Sequence, residues 1–351
     1  MESIVSTRIK NSRIHKGLSL QEVADKIGVS KQMISKYETG KSLPNSSKLI
    51  ALSKLFNQKV DYFFRKPEVE LGEINFRKKS KFSNKKINSL KEDIRIQIEN
   101  YLLIENICNL NTLFNNPIQN LSIKSRNDIV KAVKTLRESW KIGNDAIHNI
   151  IELLEDNEIK VIEVEDDTNL FDGLATIIDE KYYVLVINKN MPIERKRFTL
   201  LHELGHLLLK ISSNDTKEIE KYCNLFASEM LLSEENAKME FGKKRSRITI
   251  EELKNIQEKY GISIAAIVYK LGDIKIIPQE KTTSFFKQMN ANPALKKELE
   301  EPRFDGHEMS FRYSNLVYRS VSEEAISMSK ASSLLKINLE QLRENLTLNV
   351  I

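Results

Sequence analysis

Apolar residues recur at helical spacing through the first 64 residues, in runs short enough for a small bundle. Ile4 to His15 reads as one helix. Leu20 to Ile27 is a second, with Leu20, Val23, Ala24 and Ile27 along one face. Gly28 breaks that pattern, and Ser30 is placed to cap a third helix running to about Thr39. Gly40 ends it, Pro44 sits in the following loop, and Ser46 to Phe56 and Val60 to Phe64 complete five short helices. Pro67 to Gly72 reads as a domain boundary. A basic, polar stretch over 76–95 follows, with Arg77, Lys78, Lys79, Lys81, Lys85 and Lys86. Helical periodicity returns from about Lys85 to Leu113, with Ile94, Ile98, Tyr101, Leu102 and Ile104, and again from Ser125 to Leu136.

The texture changes near Ile151. After a short helix to Asp156, the runs Ile159 to Val164, Gly173 to Ile178 and Tyr182 to Ile187 are β-branched and aromatic, which predicts strands. A long helix is predicted from Pro192 through about Ile211, another from Lys217 to Leu232, and a helix pair over Thr249 to Tyr260 and Ser263 to Gly272. The last 70 residues are polar and helical, with Val317, Val321, Ala325 and Ile326 as a packing stripe. The pattern thus predicts a mainly α protein with one small α+β region. We divide it into residues 1–66, a helical connector 67–150, the α+β domain 151–280, and a helical region 281–351. It contains no internal repeat or low-complexity segment.

Composition narrows the class. With 351 residues, two or three domains are expected. No apolar run approaches the ~18 residues of a membrane span, and Met1 to Thr7 lacks the pattern of a signal peptide. The two cysteines, Cys108 and Cys223, make no disulfide framework, so a cytoplasmic protein is expected. The net charge of +6 is unevenly spread: residues 1–66 hold thirteen Lys or Arg against five Asp or Glu, a surplus of eight, leaving the remainder at −2. A basic module on a near-neutral body suits nucleic-acid binding, although a solvated lysine-rich face gives the same count.

The motif with the most chemical content is His202-Glu203-Leu204-Gly205-His206, an H-E-x-x-H inside an otherwise apolar helix. Histidines four residues apart on a helix lie about 40° from each other and ~6 Å apart along its axis, so both imidazoles can reach one ion. Zinc suits neutral imidazole nitrogen and needs no redox chemistry. Glu203 flanks the same face without being a ligand, where it can take a proton from a water on that ion and deliver it to a leaving amine. Only five histidines occur in the chain, and two of them sit here. A catalytic zinc usually takes a third protein ligand. Glu218, Glu220, Glu229, Glu234 and Glu235 all follow, and periodicity does not choose among them. Cys223 reads as a small packed hydrophobe. His15 and His148 have no spacing partner, and His307 could approach the site only through folding.

The run Arg197 to Leu209 closely resembles the zinc-helix signature of the ImmA/IrrE metallopeptidases, and Glu220 to Leu232 resembles their second block. The resemblance covers about residues 150–280 and implies a small zincin-like metallopeptidase domain. It makes Glu220 the third zinc ligand, Asn224 its outer-sphere neighbour, and Glu229 structural. Leu201 stands where the family often has alanine, and Ser233 where it often has proline. Neither replaces a ligand.

Residues 7–64 resemble an Xre-type helix-turn-helix, carried by Arg8-Ile9-Lys10, Leu18 to Ala24, Gly28-Val29-Ser30, Ile34 to Gly40, and Pro44. In such folds the third helix enters the major groove. Lys31, Gln32 and Ser35 are the expected base readers, and Gln21, Lys36 and Lys41 the expected phosphate contacts. Met33, Ile34 and Tyr37 are expected to fill the core. Together the two resemblances imply a DNA-binding regulatory zinc endopeptidase. Its expected partners are a double-stranded operator and an Xre-type repressor as protein substrate, with no membrane partner; a homodimer is compatible with this. The competing expectation is a transcription regulator or antitoxin whose zinc fold binds a partner without cutting it. A closed four-ligand site would favour that rival.

Overall fold

The computed structural model describes residues 4–65, 84–110, 112–166 and 171–347. The expected boundary at Pro67 to Gly72 and the basic residues Arg77, Lys78, Lys79 and Lys81 lie outside the described residues. The chain divides into two compact units, residues 1–111 with 313–351, and residues 112–312. Both are dominated by helices, as the pattern predicts. Among the described residues, no helix is long and apolar enough to cross a membrane.

In the first unit, α1 (Ile4–His15), α2 (Leu20–Ile27), α3 (Lys31–Glu38), α4 (Ser46–Phe56) and a 3-10 turn (Val60–Phe64) enclose Ile9, Val23, Ala24, Ile34, Leu52 and Phe63. Ser19 and Glu22 form a reciprocal capping box at the start of α2, and Gly28 ends that helix at φ 65°, a left-handed conformation glycine adopts without steric cost. Lys48 of α4 donates to the carbonyls of Ile27 and Gly28 at 2.7 and 3.1 Å, closing the turn into α3. Arg13 grips Glu38 through two bonds of 2.6 and 2.9 Å, fixing α1 against the end of α3. The long α5 (Asn84–Ile107) packs on α1. There the fully buried Arg8 donates to Glu99 at 2.8 Å and to the Arg65 carbonyl at 3.0 Å.

The second unit begins with β1 (Ser122–Ile123), α6 (Arg126–Ser139) and α7 (Ile150–Asp156). A three-stranded sheet follows, β2 (Lys160–Val164), β3 (Gly173–Ile178) and β4 (Tyr182–Asn188), in the order β2-β4-β3, with β2 parallel and β3 antiparallel to β4. β4 leads into α8 (Ile193–Leu208), which stops short of the predicted end because Lys210 and Ile211 form β5, pairing with β1. Then come α9 (Thr216–Leu231), α10 (Glu234–Phe241), α11 (Ile250–Tyr260), α12 (Ile264–Asp273), α13 (Gln279–Ala291) and α14 (Pro293–Leu299). One continuous core joins Leu185 and Ile187 of β4, Leu200, Leu201, Leu204 and Leu208 of α8, and Phe226, Ala227 and Met230 of α9.

The chain closes with α15 (Arg312–Ser322), α16 (Met328–Leu335) and α17 (Leu339–Leu346). Leu316, Val317, Ala331, Leu334 and Leu342 pack with Ile104 and Cys108 of α5 in the first unit. Of the predicted C-terminal stripe, Val317 is fully buried and Val321 and Ile326 pack at its edge, but Ala325 is exposed because α15 ends at Ser322.

Candidate metal centre and helix-turn-helix

The apolar stripe Leu200, Leu204 and Leu208 turns one face of α8 into the core and leaves His202 and His206 facing α9. Gly205 lets the two helices close. A Cβ built there would meet the Phe226 ring at 3.3 Å and the Cys223 backbone at 3.4 Å. Across that narrow gap the two imidazoles converge, with their Nε2 atoms 3.1 Å apart. The Glu220 carboxylate of α9 reaches them from the other side, 3.3 Å from His202 Nε2 and 3.8 Å from His206 Nε2. Ligands arranged tetrahedrally about one zinc-sized ion stand about 3.3 Å from one another. The His202, His206 and Glu220 set therefore has the donor chemistry and the spacing to hold a metal ion.

The other ring nitrogens are held from the same helix. His202 Nδ1 lies 2.9 Å from Asn224 Oδ1, and His206 Nδ1 lies 3.3 Å from Cys223 Sγ. Donation of an Nδ1 proton to that amide oxygen is the arrangement that presents His202 Nε2 to a metal ion. The contact of Cys223 with His206 escaped the sequence reading. The one clue was its place next to Asn224, on the α9 face that meets α8.

Glu203 is 7% exposed and faces the start of β3. A Cβ built on Gly173 would stand 3.3 Å from Glu203 Cγ and 3.0 Å from Thr199 Cγ2, so glycine there lets the edge strand approach this carboxylate. The remaining acidic candidates lie elsewhere. Glu229 is buried in an ion pair with Lys270 and accepts from the Glu234 backbone N–H at 2.8 Å. Burial pushes the Lys270 ammonium pKa down, and Glu229 opposes the shift. Glu218 bonds Tyr222, and Glu234 pairs with Lys238 and Arg126. Glu235 belongs to the first turn of α10 and is not part of the convergent set. His148 and His307 are exposed, and His15 sits 3.3 Å from Asp93.

In the first unit, Ser30 caps α3 by accepting from Met33 N at 3.2 Å. Lys31, Gln32 and Lys36 are exposed along that helix, Ser35 is half-buried, and Ile34 and Tyr37 fill the core while Met33 packs at its rim. Gln21, at the start of α2, is exposed with its amide 2.7 Å from Asp25, and Lys41 is exposed just past α3. The six expected DNA contacts thus lie on α2, α3 and the turn that follows.

Two classes of domain meet in this chain. Residues 9–63 match the helix-turn-helix family model, and residues 155–272 match the IrrE N-terminal-like domain. The chain therefore carries an Xre-type helix-turn-helix domain followed by an ImmA/IrrE-like domain. Over 64 residues it is 31% identical to an uncharacterized HTH-type transcriptional regulator of Rickettsia conorii, a match covering 18% of this chain and 51% of that one. Over 58 residues it is 36% identical to the SPbeta prophage-derived uncharacterized HTH-type transcriptional regulator YonR of Bacillus subtilis, covering 16% and 54%. The chain thus spans about half the length of the curated relatives it matches. Bacillus thuringiensis PlcR, solved in complex with the peptide PapR7 and DNA, aligns over 99% of both chains at 12% identity with a TM-score of 0.17, too low to bear on the fold.

Proposed function

We propose that this chain is a DNA-binding regulatory zinc endopeptidase that cleaves a repressor or partner protein to control transcription in the cytoplasm. The observation carrying the reading is the convergence of His202, His206 and Glu220 from two helices, with the Glu203 carboxylate one residue from the first ligand. Bound there, zinc would supply Lewis acidity toward a carbonyl and bring the acidity of water into the neutral range. His202 and His206 would hold it through Nε2, the atoms that face each other across the gap. Asn224 and Cys223 hold the two rings in orientation. Glu203 takes up the proton of the attacking water and returns it to the leaving amine. Three protein donors leave one position open, which suits catalysis better than a closed structural site. Holding the protease on DNA raises its effective concentration against a substrate bound at the same operator.

One zinc per chain is expected, and His202→Ala combined with His206→Ala should abolish it. Elemental analysis finding the same zinc content in that variant would refute the site. A pull-down with Glu203→Gln as a substrate trap, followed by identification of the captured proteins, tests the protease reading directly.

The helix-turn-helix carries a separate expectation. Binding to operator duplex should weaken steeply with salt as lysines displace condensed counterions. Lys36→Ala should weaken all sequences alike if it contacts phosphate. Gln32→Ala should relax preference at one base position by ~1–3 kcal/mol if it reads a base edge. Gel shifts at two salt concentrations, with a random duplex as control, measure both effects. Salt-independent binding would turn the module into a protein-docking surface.

A further inference from the structure

A cavity of about 680 Å³ has Glu220, one vertex of the donor triangle, and Asn224 in its wall. This is the size of cleft that takes a small ligand or a few side chains. Phe198, Leu225 and the 63%-exposed Tyr269 give it apolar surface. Its charges divide into matched and unmatched. Arg126 is paired with Asp273, and Lys270 with the buried Glu229. Glu220 is committed to the two histidines. Lys217 and Lys221 are left over: both line the cavity, both are exposed, and neither forms an ion pair among the described residues. They stand four residues apart on α9, about 6 Å along its axis, so their ammonium groups can close on one carboxylate. Lys221 follows Glu220 directly, which puts this cationic end within one residue of the proposed metal ligand.

We infer that Lys217 and Lys221 form a substrate subsite that selects a polypeptide with an acidic side chain close to the bond being cut. The apolar wall of Phe198, Leu225 and Tyr269 takes the neighbouring part of the chain. A concave site with the Glu220 and Asp273 carboxylates in its wall suits one substrate carboxylate and disfavours a phosphate backbone, which would bring many charges past them. The inference rests on the endopeptidase reading above and specifies its substrate class.

The test uses the full chain, zinc-loaded and carrying Glu203→Gln so that peptides survive. Short fluorescein-labelled peptide pools differ only in having Glu, Gln or Lys at their charged positions, and anisotropy reads binding. At low ionic strength the Glu pool should bind about five- to tenfold more tightly than the Gln pool, the range expected of two exposed charge pairs. Lys217→Gln with Lys221→Gln should bring the two pools within twofold. Lys217→Glu with Lys221→Glu should shift the preference to the Lys pool. Lys243→Gln with Lys244→Gln, at exposed positions outside the cavity, should leave the preference intact. Equal binding of the pools, no binding of any pool, or a Lys217 and Lys221 effect confined to a competing oligonucleotide would each overturn the subsite. Cleavage by the parent chain is scored separately. A charge preference without cleavage would sink the protease reading and leave Lys217 and Lys221 as an acidic-peptide binding site only, whereas cleavage without charge preference would overturn the subsite and keep the protease.

Discussion

Glu203→Gln should keep its zinc and its duplex binding while losing proteolysis by about 10²- to 10⁴-fold, the usual effect of removing a general base. The amide matches the carboxylate in shape, so the packing between α8 and the start of β3 is preserved. It has no basic oxygen to take the proton of the attacking water. The Asn224 and Cys223 contacts that hold the His202 and His206 rings come from α9 and are untouched by the change. Cleavage of the trapped partner by parent and variant, with zinc content measured on the same samples, separates lost chemistry from lost metal. Parent-like cleavage by Glu203→Gln would remove the proposed mechanism. Loss of zinc in the variant would mean that Glu203 supports the site mechanically.

Arg197→Ala should destabilise the second unit by about 3–5 kcal/mol, the range for removing one member of a buried ion pair. Arg197 lies on α8, five residues before His202, and is fully buried. It pairs with Glu308, donates to the Gly261 carbonyl at 3.1 Å and to that of Ile147 at 2.5 Å, and lies 4.1 Å from the centre of the Phe304 ring. Burial pulls its pKa down and pushes the Glu308 pKa up, each opposed by the other charge. Glu308 also accepts the backbone N–H groups of Ile150 and Ile151 at 2.9 and 3.2 Å, at the start of α7. Without Arg197, that carboxylate and several carbonyls lose their charged partner inside the core. For a unit of this size the melting temperature should fall by roughly 6–20 °C. Thermal unfolding within a degree of the parent would show that the pair is not structural.

These two residues also mark where the sequence is legible. Spacing alone proposes Glu203, because an i, i+4 histidine pair dictates the face and leaves one carboxylate beside it. The strands were readable because β-branched runs bounded by turn residues have few alternatives. Their register was less so: the β3–β4 turn places Asp179 and Glu180 at positive φ, where Asn-Gly is the usual signal. Arg197 stood inside a recognisable motif, yet no periodicity marks an arginine as core, and its partner Glu308 lies 111 residues away in the chain. Lys270, the buried partner of Glu229, hides for the same reason. Glu220 could not be chosen by spacing among five acidic residues. Its distinction is that α9 crosses α8 where Gly205 admits it, and a helix crossing is not written in local pattern.

That crossing has a mechanical consequence. A carboxylate at 220, a thiol at 223 and an amide at 224 all meet the two histidines, and all ride on one rigid helix within little more than a turn. Slipping α9 by a single residue would swing it by about 100° and withdraw the three together. The five-residue constellation therefore assembles or dissolves as one event, and any force that unseats α9 from α8 acts on it as a clutch rather than a dimmer.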